Sequence, residues 1–245
     1  VYVWDMDETL ILLKSLLNGT YAEAFSGVKD SQKGVEIGKM WEKHILQISD
    51  DFFFYEQIEN CNKPFLEALS KYDDGQDLSD YDFKQDGFDD LNKKKLAYRH
   101  RVIANKYKQG LHNIFDQEMM DLWDALYNMT DEYTDRWLSS AREILEQRHI
   151  NVLVTSGSLI PSLVKCLLFR LDIVVYSSWD VGKLQCFEWI KERFPNFRFC
   201  AIGDGWEECE AAQAMKWPFI KIDLRPHRFP GLTLKTVGFY FSVVY

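Results

Sequence analysis

With 245 residues, 47% of them apolar, the chain can build one sizeable core, or one domain carrying an inserted second. A formal charge of −9 argues against a nonspecific grip on nucleic acid, which needs a basic surface. No apolar run approaches the ~18 residues of a membrane-spanning helix, so no membrane segment is expected. The five cysteines, at 61, 166, 186, 200 and 209, include no C-x-x-C pair. They read as reduced thiols of an intracellular protein, nuclear or cytoplasmic, rather than as a disulfide framework or a zinc site.

The chain opens inside a strand, with no signal-peptide pattern, as a trimmed domain would. Val1-Tyr2-Val3-Trp4 reads as a short buried strand, because two Val and two aromatics favour the pleated interior of a sheet. It runs directly into Asp5, Asp7 and Thr9. Two carboxylates and a hydroxyl therefore stand at the carboxyl end of a strand, where ligands bind in open α/β sheets.

From about Tyr21 to about Ser140 the apolar period changes to that of helices. Val35, Ile37, Met40, Trp41, Ile45 and Ile48 predict one helix, and Ile114, Phe115, Met119, Leu122, Trp123 and Leu126 another. Trp137, Leu138, Ala141, Ile144 and Leu145 predict a third. The acidic stretch Asp73-Asp74-Gly75-Gln76-Asp77 through Asp89-Asp90 precedes the basic cluster Lys93-Lys94-Lys95, Arg99 and Arg101. These charge runs read first as a solvated face. A charged surface offered to a macromolecular substrate, or a flap over the site, is the other reading.

Strand–helix alternation returns near Ile150 and signals a parallel sheet. Asn151–Val154 ends in Thr155-Ser156-Gly157-Ser158, with a helix expected from about Pro161. Strand Ile173–Tyr176 leads to Ser177, Ser178 and Lys183, and a helix is expected from Leu184 to Phe194. Strand Phe197–Ile202 ends at Gly203-Asp204-Gly205-Trp206-Glu207-Glu208, and Pro218–Ile222 reads as a fourth returning strand. The expected fold is α/β: a three-layer, Rossmann-like parallel sheet formed by residues 1–20 and 146–245. Residues 21–145 form an inserted helical cap.

Four strand ends thus offer Asp5, Asp7 and Thr9, then Thr155 and Ser156, then Lys183, then Asp204 with Glu207 and Glu208. Together they make a phosphoryl-transfer set. Asp5 can attack phosphorus as a carboxylate nucleophile. A carboxylate meeting a phosphate dianion needs Mg²⁺, for which Asp204 supplies a second carboxylate, and a fixed ammonium, which Lys183 supplies. Thr155, Ser156 and the turn amides can hold phosphoryl oxygens, and Asp7 can move the proton.

Asp5-Met6-Asp7-Glu8-Thr9, Thr155, Lys183 and Gly203-Asp204 resemble the four motifs of the haloacid dehalogenase superfamily. Trp4–Thr9, Ser15–Ala22, Gly75–Ser79, Asp86-Gly87-Phe88, Leu159-Ile160-Pro161 and Gly203–Glu208 resemble the Eyes absent family, from Val1 to about Ile222. That resemblance implies an Mg²⁺-dependent, aspartate-based protein tyrosine phosphatase acting on phosphotyrosine-containing proteins through an aspartyl-phosphate. It implies Asp5 as nucleophile and metal ligand, and Asp7 as acid/base with a main-chain carbonyl on the metal. Asp204 completes the protein ligands, Thr9, Thr155, Ser156 and Lys183 meet the phosphoryl group, and Glu207 and Glu208 lie behind the metal.

No cysteine has Arg six positions later, so the C-x5-R loop of thiol-based tyrosine phosphatases is absent. Animal members carry several threonines where this chain has Thr155-Ser156-Gly157, and the tail Phe239–Tyr245 departs from their helical end. That tail reads as another strand or as an apolar patch for a partner. Two alternatives stay open: a small-molecule phosphate monoesterase of the same superfamily, and a scaffold for transcription factors or other partners with secondary activity. A compact receiver domain is excluded by the long insert.

Overall fold

The computed structural model describes residues 1–81, 93–147, 149–223 and 242. The motif Asp86-Gly87-Phe88, the acidic pair Asp89-Asp90 and the aromatic tail from Phe239, apart from Ser242, lie outside the described residues. Five parallel strands form one sheet in the order β3-β2-β1-β4-β5. They are β1 (Tyr2–Trp4), β2 (Asn151–Thr155), β3 (Val174–Ser177), β4 (Cys200–Gly203) and β5 (Phe219–Lys221). The fold is α/β, as expected.

Successive strand residues point to opposite faces, so the sheet needs a cover on each. Tyr2, Trp4, Leu153, Cys200, Ile202 and Ile220 enter one buried cluster, and Val3, Val152, Val154, Tyr176 and Ala201 enter the other. Between β1 and β2 the described residues form helices and no strand. These are α1 (Lys14–Leu17), α2 (Thr20–Ala24), α3 (Ser31–Phe53), α4 (Tyr55–Ile58), α5 (Lys93–Gln109), α6 (Gln117–Tyr133) and α7 (Trp137–Leu145). After β2 come α8 (Leu159–Leu168), α9 (Lys183–Arg193) and α10 (Trp206–Met215). Cys186, Phe187 and Ile190 of α9, with Ala211 and Ala212 of α10, cover the second face.

Helix α3 buries the predicted Ile37, Trp41, Ile45 and Ile48, and starts at Asp30, whose carboxylate accepts the Lys33 N–H at 3.2 Å. The next apolar series is not one helix. Ile114 and Phe115 precede α6, because Asp116 caps it by accepting the Met119 N–H at 2.8 Å, and Leu122 is exposed. Helix α8 begins at Leu159, two residues before Pro161. Its first N–H is bound at 2.8 Å by Oδ1 of Asn62, so a residue from the insert caps it.

The helical insert shares the first cluster rather than standing apart from it. Trp41 lies against Phe169, ring centroids 4.4 Å apart, and donates its indole N–H to Thr130 at 2.8 Å. Trp137 donates its indole N–H to the Thr9 carbonyl at 3.1 Å, anchoring the turn that follows Asp5 and Asp7. The charge runs also find each other. Lys94 pairs with Asp74 at 2.5 Å, Arg101 with Asp73 at 2.9 Å, and the Tyr98 hydroxyl donates to Asp77 at 3.1 Å.

Trp137→Phe keeps an aromatic ring but strands the buried Thr9 carbonyl. It should lower stability by about 1–3 kcal/mol, read as a lower urea midpoint with an unchanged slope.

Candidate active site

The chain builds β1, β2 and β3 outward in one direction, then returns to the other edge of β1 for β4 and β5. The reversal leaves a crevice at the carboxyl ends of β1 and β4, the switch point where open α/β sheets bind ligands. Asp5 follows β1 directly, its N–H bound to the Ile202 carbonyl of β4 at 2.8 Å. Asp204 follows β4 directly. Strand order therefore brings together two carboxylates 199 positions apart in the chain (204 − 5).

Lys183 opens α9 and is buried; its ammonium donates to Asp5 Oδ1 at 2.6 Å and to Glu208 Oε1. Ligand oxygens of Asp5, Asp204 and Glu208 all lie within 4.8 Å of one another. Two glycines make room for this cluster. A Cβ on Gly203 would sit 2.7 Å from Glu208 Cγ and 3.1 Å from Asp5 Cβ, and one on Gly205 would sit 2.7 Å from Glu208 Oε2. Gly-Asp-Gly is thus the spacing that lets α10 fold Glu208 back over the end of β4.

Burial pushes the Asp5 carboxyl up to about 7; Lys183 opposes the rise, and Glu208 and Asp204 add to it. Asp204 is raised as well, by burial and then by Glu208. For Lys183, burial acts to lower the pKa, but the Asp5 and Glu208 carboxylates outweigh it and the ammonium is held above its ordinary value. One cation thus faces three clustered carboxylates. Glu208 Oε2 is buried with no partner among the described residues. Hard oxygens with an orphaned acceptor suit a divalent cation such as Mg²⁺, so the residues fit the metal that the sequence implies.

The other expected site residues fall at different distances from this centre. Asp7 is outside the 4.8 Å cluster, and both its oxygens accept from Lys165 of α8, at 2.7 and 2.9 Å. Thr155 is 1% exposed, and its hydroxyl oxygen accepts the Gly157 N–H at 3.2 Å. Ser156 donates to Glu207 at 3.1 Å, and both are exposed. Thr9 is fully buried; its carbonyl accepts from Trp137, and its hydroxyl has no partner among the described residues.

Three supporting residues escaped sequence reasoning. Glu8 Oε1 accepts the N–H groups of Leu13 and Ser15, at 3.1 and 3.0 Å, which pins the loop beyond Asp7. Lys165 carried a signal, being a lone cation in the apolar helix Leu159–Leu168. Asn62 carried none. Besides capping α8, its amide donates to Ser177 Oγ at 3.3 Å and Asp180 Oδ2 at 2.9 Å, tying the insert to the loop that bears Lys183.

Comparison with models of known families finds no match. Comparison with individual proteins does. The chain is 66% identical, over an alignment of 277 positions, to Protein phosphatase EYA of Arabidopsis thaliana, covering 100% of this chain and 90% of that protein. The chain belongs to the Eyes absent family.

Animal Eyes absent proteins are more distant. Protein phosphatase EYA2 of Homo sapiens is 35% identical over 91% of this chain, and Protein phosphatase eya of Drosophila melanogaster is 34% identical over 91%. The chain spans 47% of the human protein and 33% of the fly protein. It is thus a non-animal type of Eyes absent chain, matched along nearly the whole length of its plant relative.

Asp5 is protonated below about 7 in the folded, metal-free protein and titrates near 3.8 when free. Its folded pKa is raised, so its contribution to stability is greatest below about 3.8 and is lost as pH rises through about 7. The urea midpoint of metal-free protein should fall between about pH 5 and about pH 8. Added Mg²⁺ should raise it more at the higher pH; equal responses would argue against a carboxylate cation site.

Proposed function

We propose that the chain is a protein phosphatase, as its relatives are named, and specifically an Mg²⁺-dependent enzyme that hydrolyses phosphotyrosine with Asp5 as nucleophile. The observation that carries this reading is the cluster of buried Asp5, Lys183 and Glu208 with half-buried Asp204 at the sheet's switch point. A buried carboxylate beside a fixed ammonium and two further carboxylates is costly for stability alone. It is well suited to phosphoryl transfer, where charge on the transferring group must be offset without reorganisation.

Asp5, Asp204 and Glu208 would hold the Mg²⁺, with the Asp7 main-chain carbonyl as a further donor. When bound, the ion supplies positive charge that offsets the phosphoryl dianion and keeps Asp5 ionised. An Asp5 carboxylate oxygen attacks phosphorus and the bond to the tyrosine oxygen breaks, giving an aspartyl-phosphate. Lys183 holds charge on the phosphoryl oxygens, and Thr155 with the amides of the Ser156–Gly157 turn orients them. Asp7 gives its proton to the leaving oxygen. It then takes one from the water that attacks the aspartyl-phosphate, which releases phosphate and restores Asp5. To do so, Asp7 exchanges its Lys165 partner for the substrate.

Phosphate release from matched phosphotyrosine, phosphoserine and phosphothreonine peptides and a few sugar phosphates, with and without Mg²⁺, tests this directly. Turnover should favour phosphotyrosine, require Mg²⁺ and fall at least ~10³-fold in Asp5→Asn. Preference for a sugar phosphate would make the protein a metabolite enzyme. Absence of turnover in folded, Mg²⁺-binding protein would make it a scaffold.

A phenol of pKa about 10 leaves more readily than an alcohol and depends less on an acid. Asp7→Asn should therefore cost phosphoserine turnover about 10²–10⁴-fold and phosphotyrosine turnover less. Equal losses would remove Asp7 from the leaving-group step.

A further inference from the structure

An open cleft of about 600 Å³ adjoins Lys183, and its lining includes Ser156, Trp179, Asp180, Glu207 and Glu210. Its size lies within the range of about 300–1,000 Å³ typical of ligand clefts. Its lining comes from the loops after β2 and β3, the start of α9 and α10 from Glu207 to Ala214, so through Lys183 it adjoins the buried charge cluster. Of its lining, Lys183 and Ser156 belong to the phosphoryl-transfer reading above; Trp179, Asp180 and Glu210 have no part in it.

Trp179 is 66% exposed, and its indole ring has no partner among the described residues. Its backbone is nonetheless fixed. Ser178 donates to the Thr155 carbonyl through both its N–H, at 2.8 Å, and its hydroxyl, at 3.0 Å. The Gly182 N–H closes back on the Ser178 carbonyl at 2.8 Å, and Asp180 is tied to Asn62. A large apolar ring held in solvent on a rigid turn, four residues before the phosphoryl-binding lysine, is a preformed surface for another flat ring.

The charges around it point the same way. Lys183 is engaged by Asp5 and Glu208, whereas Asp180, Glu207 and Glu210 are exposed on the lip. The lip repels acidic residues and attracts basic ones. A phosphotyrosyl segment satisfies both halves: its ring lies on Trp179, and its basic neighbours meet the acidic lip.

We propose that this cleft seats the substrate's phosphotyrosyl segment, with Trp179 as the platform for the ring and Asp180, Glu207 and Glu210 selecting basic flanking residues. The proposal rests on the phosphotyrosine reading above. A small phosphorylated aromatic metabolite would use the ring platform but gain nothing from the lip.

The test measures kcat and KM of the Mg²⁺-loaded chain on three phosphotyrosyl peptides that differ only in flanking residues: Arg, Ser or Glu. Phenyl phosphate serves as the ring without a peptide. Wild type should prefer Arg over Glu flanks, chiefly through KM, and the preference should shrink at high salt. Glu210→Lys should reduce that preference about two- to fivefold while leaving phenyl phosphate turnover at the wild-type rate. Trp179→Ala should raise KM about three- to tenfold for all three peptides with kcat little changed, and Trp179→Phe should recover most of the loss. Because Trp179 is exposed, these variants should keep the wild-type melting curve.

Flanking residues without effect, or a wild-type KM in Trp179→Ala, would overturn the assignment of the cleft. Wild type that hydrolyses phosphoserine peptides but not phosphotyrosine would instead overturn the reading beneath it. That outcome is visible before any variant is made.

Discussion

The structure depends on one constraint: an aspartate, a lysine and a glutamate are buried in contact at the end of the central strand. Removing such charges from water costs several kcal/mol per ion unless each finds a close partner, so their surroundings are tightly specified. The reversal in strand order brings β4 beside β1. Two glycines clear space for Glu208, and the start of α9 delivers Lys183 inward. Even so, the cluster holds more negative charge than positive and leaves one glutamate oxygen orphaned. A fold selected for stability alone would have filled this place with apolar side chains.

The insert contributes to that arrangement from a distance. Trp137 fixes the turn after Asp7, and Asn62 joins the start of α8 to the loop that carries Trp179 and Lys183. Among the described residues, Asp73 and Asp74 of the insert's acidic segment are paired with Arg101 and Lys94 of α5.

The sheet was legible because its strands are short apolar runs ending in chemistry-bearing residues, and because buried parallel strands have little reason to alternate. Asp5 and Asp204 could be aligned by their common position at strand ends, and Lys183 by its place after the third strand. Helix boundaries were less legible where a tertiary partner decided them. Asn62 starts α8 before the proline that seemed to mark its beginning, and Asp116 cuts the series from Ile114 to Leu126. The depth of Thr9 was hidden for a related reason: its carbonyl meets Trp137, which is 128 positions away. Glu208 was placed behind the metal from its motif; its contact with Lys183 depends on how α10 folds back over β4.

The cysteines give the site a property unrelated to its specificity. Cys61, Cys166, Cys186 and Cys200 are buried free thiols, and burial pushes the last three up to about 12. Peroxide attacks thiolates, and these side chains are kept from becoming thiolates. Cys209, beside Glu208 in α10, is the least buried of the five and the one thiol near the charge cluster left open to oxidants. On the phosphatase reading proposed above, a carboxylate nucleophile is not silenced by peroxide as a catalytic thiolate is.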